Sequence, residues 1–192
     1  ETKIPKRDDP LFGQYFQGEI QPGGRKEALS LIESFKNSRG KDYLSNVSSP
    51  LRSEISCSRL SAHLAWGTIS VKELLSSFPK SISGVSNSQT SLTGRNLTAF
   101  KSRLAWRCHF IQKLEDKPDI EFKCMHKMFE GMREPFLNPT FFKAWAEGTT
   151  GYPFVDACMR SLIMNGWITF RSRALLVSFA SFNLWLDWRK TG

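Results

Sequence analysis

The chain has 192 residues, of which 40% are hydrophobic and 12% aromatic, so it contains enough apolar material for a packed core. This length corresponds to one ordinary domain or to part of a larger protein. The most apolar segment, residues 174–186, is interrupted by Ser178, Ser181 and Asn183 and is shorter than the ~20 apolar residues that span a bilayer. The composition therefore predicts a folded, soluble chain without a transmembrane segment.

The chain is basic, with 27 lysines and arginines against 18 aspartates and glutamates, and its formal net charge is +9. An excess of this size favours a polyanionic partner, such as DNA or the acidic surface of another protein in a complex. Many basic domains bind neither, and in those the charge serves solubility alone. The charge therefore leaves both interpretations open.

The four cysteines show no metal-site spacing. They are Cys57, Cys108, Cys124 and Cys158. No pair has the C-x-x-C spacing of zinc ligands, and the three histidines form no ligand series with them, so we predict no metal. Free cysteine behaves as a small hydrophobe, which predicts buried, reduced thiols and an intracellular, reducing compartment. The cysteines do not distinguish the cytoplasm, nucleus and plastid.

The first part of the chain divides into a lead-in and a helical region. Residues 1–23 are rich in proline, glycine and charge, which predicts an extended segment, and a helical domain is predicted over residues 24–192. Ala28, Leu31, Ile32 and Phe35 recur at helical spacing. These four residues predict the first helix of the domain.

Two more helices flank a serine-rich segment in the middle of the chain. Ser70 followed by Glu73 is a capping box, which predicts a short helix running to Phe78. Residues 79–96 have almost no large apolar residue and predict a solvent loop. A long helix is predicted next, up to Pro118. Its apolar stripe consists of Leu97, Phe100, Leu104, Cys108 and Ile111.

The last third of the chain holds four of the six tryptophans, between residues 145 and 189. Pro153 opens a predicted helix that Gly166 ends. Thr169 is the predicted cap of a last helix that runs to about Trp188. No segment shows the alternating pattern of a strand, so the predicted fold class is all-α.

Some side chains are suited to ligand binding, and each also has a plainer explanation. Ser58, Leu60 and Ser61 precede a predicted helix start, which suits a phosphate, although helix capping is the commoner use. Arg171 and Arg173 lie beside an apolar face and either pair with an anion or lie at the surface with buried stems. The tryptophans suit electron relay or base stacking, and core packing is their ordinary role.

Seven motifs follow one another between residues 22 and 192. They are PGGRKEAL at 22–29, DY at 42–43, SRLSAHLAWGTIS at 58–70, SRLAWRCHF at 102–110, WAEGTTGYPFVDACMRSL at 145–162, GWITFRSRALLVSF at 166–179 and LDWRKTG at 186–192. In order and spacing they resemble the helical FAD-binding domain of the photolyase and cryptochrome family.

The resemblance implies a multi-helix bundle that binds FAD in a folded, U-shaped conformation. In photolyases, reduced flavin excited by blue light donates an electron to a pyrimidine dimer in DNA, and cryptochromes use similar photochemistry for signalling. If the chain belongs to an enzyme, the resemblance therefore implies a DNA photolyase. We also expect the chain to lack the family's α/β antenna domain and the C-terminal end of its FAD-binding domain.

The resemblance also implies a set of cofactor-binding residues. The phosphate-binding loop matches Ser58, Arg59, Leu60 and Ser61, with Cys57 in place of the usual threonine. Tyr43 matches a tyrosine near the flavin nucleotide. Arg173 matches an arginine beside the flavin ring, and Arg171 is predicted to bind the cofactor with it.

Two tryptophans receive catalytic roles from the resemblance. Trp106 matches the residue against which a flipped-out lesion packs, and Trp188 matches a member of the electron-transfer chain. Three positions depart from the family pattern: Arg103 replaces a glutamate, Phe170 an asparagine at the reactive nitrogen of the flavin, and Thr169 the preceding histidine. Phe170 cannot donate or accept a hydrogen bond there.

Two functions stay open on the sequence. The first is a flavoprotein that uses blue-light-driven electron transfer for DNA photorepair or light sensing, favoured by Arg173, Trp106 and Trp188. The second is a non-catalytic interaction or assembly subunit that has lost flavin and repair activity, favoured by Arg103 and Phe170.

Overall fold

The computed structural model describes residues 21–78, 92, 94–134 and 137–192, and these residues form an all-α bundle, as predicted. The α-helices are α1 (Arg25–Asn37), α2 (Tyr43–Asn46), α3 (Ser53–Ser56), α4 (Ser61–Ala65), α5 (Val71–Ser76), α6 (Gly94–Asp116), α7 (Pro139–Glu147), α8 (Pro153–Asn165), α9 (Phe170–Ser178) and α10 (Trp188–Thr191). None of the helices described in these ranges is both long and apolar enough to cross a bilayer.

Shorter helical segments connect the α-helices. They are 3₁₀ helices at Arg39–Asp42, Pro118–Glu121 and Lys127–Phe129, and a π-helix at Phe179–Asn183. Residues 1–20 of the predicted lead-in (residues 1–23) and residues 79–91 of the predicted loop (residues 79–96) lie outside the described residues. That loop prediction is wrong at its end, because α6 already begins at Gly94.

The first hydrophobic core joins α1, α2 and the N-terminal half of α6. Phe35 of α1 lies edge-on to Tyr43, with ring centroids 5.5 Å apart, and 4.9 Å from the ring of Phe100. Full burial of such a side chain contributes about 1.5 to 3 kcal/mol. The periodicity of α1 predicted this face correctly, since Ala28 and Ile32 are buried with Phe35.

The capping box at α5 forms only in part. The Ser70 hydroxyl accepts a hydrogen bond from the backbone N–H of Glu73 at 3.1 Å, as predicted. The Glu73 carboxylate pairs with Arg25 instead of the backbone of Ser70, and this ion pair links α5 to α1. The helix ends at Ser76, two residues before the predicted end.

The apolar stripe of α6 is covered along half of its length. Leu97, Phe100 and Leu104 are buried, Cys108 is partly buried, and Ile111 is exposed. Three more large apolar side chains of this half are exposed, namely Trp106, Phe110 and Leu114. The C-terminal half of α6 therefore presents apolar side chains at the surface.

The second hydrophobic core joins α7, α8 and α9. The indole N–H of Trp145 donates to the carbonyl of Leu176 at 3.0 Å and fixes α7 against α9. The buried carboxylate of Asp156 accepts from the backbone N–H groups of Thr150 and Gly151 at 2.8 and 2.9 Å, which closes the turn before α8. The first contact is long-range and holds α7 against α9, whereas the other two are local and fix the start of α8.

The last predicted helix is wrong in its extent. Thr169 caps α9 as predicted, by accepting from the backbone N–H of Ser172 at 3.0 Å. The α-helix ends at Ser178, however, and a π-helix and a turn precede α10. The turn places Leu186 in the core with no exposed surface, and its N–H donates to the carbonyl of Ala180 at 2.9 Å.

Candidate functional site

Arg39 holds the predicted phosphate-binding loop against α1. Its guanidinium donates to the carbonyls of Cys57 and Ser58 in the loop, and to the Leu31 carbonyl at 3.0 Å and the Ser34 hydroxyl at 2.8 Å in α1. The sequence analysis missed Arg39 because no local pattern pairs it with the carbonyl of a residue 18 positions later. Its role is to fix the position of the loop.

The loop has a backbone conformation that suits an anion. Arg59 adopts a left-handed conformation with φ 61°, and Leu60 follows in the right-handed helical region. Consecutive N–H groups in such a pair form a concave donor surface. Ser61 is exposed as the first residue of α4, so the loop does end at a helix start as predicted.

The side chain of Arg59 contacts three side chains of the protein. Its Nε donates to the side-chain oxygen of Gln21 at 3.1 Å, and its guanidinium lies 3.4 Å from Glu54 and 4.3 Å from the ring centroid of Trp167. Trp167 precedes α9, so Arg59 joins the phosphate-binding loop to the start of that helix.

The start of α9 makes a second contact with the N-terminal half. Arg171 donates from Nε to the hydroxyl of Ser48 at 2.7 Å, across 123 positions of sequence. Arg173 is exposed, and its side chain forms no hydrogen bond or ion pair with any part of the chain that the structure describes. Phe170 is 63% exposed beside them. The phosphate-binding loop and the start of α9 therefore lie close together, and the cation Arg173 there has no side-chain partner among the described residues.

Tyr43 and Cys57 are neutral groups in the first core. Burial, followed by the nearby Cys57, raises the pKa of Tyr43 to about 12, although Arg103 acts in the opposite direction. Burial also raises the pKa of Cys57 to about 11. The tyrosine ring packs against the rings of Phe35 and Phe100, and only 5% of the residue is exposed.

Trp106 lies on the exposed side of α6, with 49% of its surface accessible, so the core-packing interpretation is wrong for it. The guanidinium of Arg103 lies 5.2 Å from its ring centroid, and Phe110 is edge-on at 6.3 Å. The next residue, Arg107, donates to the Leu64 carbonyl in α4 at 3.0 Å. This bond from Arg107 joins α6 to the helix that follows the phosphate-binding loop.

Trp188 is the first residue of α10 and is partly buried. Arg189 stacks over its ring at 4.9 Å and pairs with Glu130, with Glu134 at 2.7 Å and with Asp187 at 3.2 Å. Arg189 is a second residue that the sequence analysis missed, since its partners Glu130 and Glu134 lie 59 and 55 positions away.

One cluster has the composition of a metal site. Cys124, Glu130 and Glu134 bring ligand atoms within 4.8 Å of one another, although the cysteine and histidine spacing predicted no metal. The guanidinium of Arg189 already pairs with both carboxylates. The cluster is therefore explained as the anionic half of an ion-pair network.

Comparison with known proteins identifies the family. Residues 100–192 match the family model described as the FAD binding domain of DNA photolyase. The deoxyribodipyrimidine photo-lyase of Streptomyces griseus is 34% identical over 186 residues, which cover 95% of this chain and 37% of that protein.

Two solved structures share the fold. A class III photolyase from Agrobacterium tumefaciens is similar over 97% of this chain and 36% of its own, with a TM-score of 0.76 and 27% identity. A Synechocystis cryptochrome matches 98% of this chain and 38% of its own, with a TM-score of 0.79 and 24% identity, which supports the fold alone.

The chain belongs to the photolyase and cryptochrome family and contains sequence of its FAD-binding domain. The predicted resemblance is confirmed. The chain spans less than two fifths of the length of each of these three proteins.

Proposed function

We propose that the chain binds FAD as part of a flavoprotein that uses blue light to drive electron transfer for DNA photorepair or light sensing. The observation that carries this proposal is the convergence of two distant segments in the family fold. Arg59 on Trp167 brings the phosphate-binding loop to the start of α9, and the bond from Arg171 to Ser48 holds the same helix start against the N-terminal half of the chain. Both segments belong to motifs of the FAD-binding domain.

The residues at this convergence fit the chemistry of FAD. The hydroxyls of Ser58 and Ser61, with the backbone N–H groups of the left-handed turn at Arg59, would hold the phosphates. Arg173 would place its unpaired charge against the ring. When bound, FAD supplies the light-driven electron, and the protein sets its geometry and electrostatics. Trp188 would then serve as an electron carrier.

Two replacements lower the polarity of the site. Cys57 is a buried, neutral thiol and donates only weakly where the family usually has a threonine hydroxyl. Phe170 offers no hydrogen bond where the family has an asparagine. FAD binding would therefore depend more strongly on the phosphate-binding loop and on Arg173 than in a site that has the threonine and the asparagine.

A spectrum of the protein with added FAD tests the cofactor proposal. We expect the purified chain to turn yellow and retain a blue absorption band after removal of free FAD. Arg173→Glu should weaken FAD binding at least tenfold, equal to about 1.4 kcal/mol, because it replaces an attractive charge with a repulsive one. Lys72→Glu makes the same charge change on exposed α5 and should leave the affinity within twofold. A chain that stays colourless contradicts the proposal.

DNA is the partner that we propose for the exposed face of α6. The helix carries no acidic residue before Glu115. Its cations are Arg95, Lys101, Arg103, Arg107 and Lys113. Phosphates would meet these cations, and an unstacked base would lie on the exposed ring of Trp106.

Binding and repair of ultraviolet-irradiated DNA test this partner. Trp106→Ala should weaken binding about tenfold, because stacking on an aromatic ring contributes about 1 to 3 kcal/mol per base. Phe182→Ala removes an exposed aromatic ring outside α6 and should leave DNA binding unchanged. Binding should fall steeply with salt. Reversal of dimers under blue light would assign repair, and binding without reversal would favour light sensing.

A reducing compartment is proposed with this function. All four cysteines are free thiols, and Cys57 and Cys158 are buried. Structural disulfides are rare in reducing compartments, so this state supports the predicted intracellular location.

A further inference from the structure

The turn after the π-helix places an arginine against two exposed aromatic rings. The guanidinium of Arg133 lies 4.5 Å from the ring centroid of Trp185 and 5.3 Å from that of Phe182. Its Nε donates to the carbonyl of Ser181 at 2.9 Å, which fixes its position. Trp185 is 43% exposed and Phe182 is 69% exposed. We name Arg133, Phe182 and Trp185 the Arg133 cluster.

Among the described residues, no carboxylate pairs with the positive charge of this cluster. Within the part of the chain that the structure describes, Arg133 makes no ion pair. The neighbouring carboxylates of Glu130, Glu134 and Asp187 all pair with Arg189. A guanidinium flanked by aromatic rings retains N–H donors that match a carboxylate.

Packing of the core does not explain why Trp185 is a tryptophan. Its φ of 56° is a left-handed conformation that bulky residues rarely adopt and that glycine adopts freely. The residue buried by this turn is Leu186, whereas the Trp185 ring stays half exposed against Arg133. Strained residues that persist at a surface point to a function of that surface.

We propose that the Arg133 cluster is a docking surface for a protein partner that inserts an apolar segment carrying one carboxylate. The carboxylate would pair with Arg133, and the apolar side chains would cover Trp185 and Phe182. Tryptophan and arginine are the residues that dominate binding energy at protein interfaces. This surface is separate from the proposed flavin and DNA sites, so the inference does not depend on them.

The surrounding charges favour a protein over a nucleic acid. Three carboxylates lie beside the cluster and pair with Arg189, so a closely spaced row of phosphates would meet like charges there. One carboxylate among apolar groups avoids most of this repulsion. Exposed Met125 and Met128 in the adjoining segment add flexible apolar surface, which suits a protein contact.

Selection from a display library of random peptides on the full chain, without FAD, tests the proposal. Enriched peptides should carry one aspartate or glutamate between apolar residues. For the best synthetic peptide, Arg133→Gln should weaken binding at least tenfold, and changing its acid to the amide should lower affinity for the wild type but not for Arg133→Gln. The peptide affinity of Arg133→Lys, which keeps the charge, should lie between those of the wild type and Arg133→Gln.

Two further variants separate binding from folding. Trp185→Gly should abolish peptide binding without lowering the melting temperature, because glycine relieves the left-handed strain. Trp66→Ala removes an exposed tryptophan of the other core and should leave the affinity unchanged. The proposal is overturned by a selection without enrichment, or by peptides that bind Arg133→Gln as tightly as the wild type. Self-association or oligonucleotide binding that Arg133→Gln abolishes would also overturn it, by assigning another occupant.

Discussion

Replacing Arg39 with methionine is expected to lower the free energy of unfolding by about 3 kcal/mol and to weaken FAD binding at least tenfold. The substitution keeps an apolar stem but removes every donor to the carbonyls of Leu31, Cys57 and Ser58. Hydrogen bonds from a charged group contribute about 1.5 to 3 kcal/mol, and buried carbonyls left without donors add a further cost. Denaturant unfolding and FAD titration measure the two effects.

Two further variants test whether the stabilisation depends on the geometry of the Arg39 guanidinium or only on its charge. Arg39→Lys keeps the charge but cannot reach three carbonyls at once, so it should recover less than half of the lost stability. Arg52→Met removes an exposed arginine near the same loop and should change stability by less than about 0.5 kcal/mol. Equal unfolding midpoints for Arg39→Met and the wild type would refute the role of Arg39 in holding the loop.

Local signals in the sequence predicted the helix starts well. The caps at Ser70 and Thr169 form as predicted, because each depends on a side chain and a backbone N–H only three residues apart. The periodicity of α1 likewise predicted its buried face. These caps and this helix face depend on residues close together in the sequence, and tertiary contacts do not change them in this fold.

Features that depend on distant residues were not predictable. The stripe of α6 indicated an apolar face, but periodicity does not reveal that Ile111 lacks a covering partner among the described residues. The last predicted helix contains no proline or glycine between Thr169 and Trp188 that would indicate its end at Ser178. Tertiary packing decided both outcomes.

The candidate site also combines features that the sequence predicted with contacts between distant residues that it did not. The family motifs indicated which loop and which helix would form the site, and the structure brings them together. They did not indicate that the guanidinium of Arg59 would stack on Trp167, or that Arg171 would bond Ser48. Those contacts join segments more than a hundred positions apart, and only the folded chain shows them.

Arg189→Gln is expected to release the segment from residue 122 to residue 134 from the second core. Arg189 holds that segment through the Phe122 carbonyl at 2.6 Å and through Glu130 and Glu134. Removing the charge leaves both carboxylates without their cation, and like charges then repel. Amide hydrogen exchange over this segment should speed up at least about tenfold, with exchange in α1 unchanged. Glu121→Gln changes an exposed acid of the preceding 3₁₀ helix and should leave both rates unaltered.

The ion-pair network of Arg189 with Glu130 and Glu134 is also expected to weaken in acid. The direction of this pH dependence follows from the lowered pKa of Glu134. Hydrogen bonds from its own backbone N–H and those of Arg133 and Gly131, with a smaller contribution from Arg189, lower the pKa of Glu134 to about 2 from 4.5, despite an opposing desolvation effect. A carboxyl whose pKa is lower when folded stabilises the fold fully above 4.5, and this contribution is lost as the pH falls towards 2. Exchange in the segment should therefore rise between these pH values, after correction for the intrinsic rate. Arg189→Gln should retain most of this pH dependence, because the backbone donors remain. A flat profile in the wild type would contradict this account of Glu134.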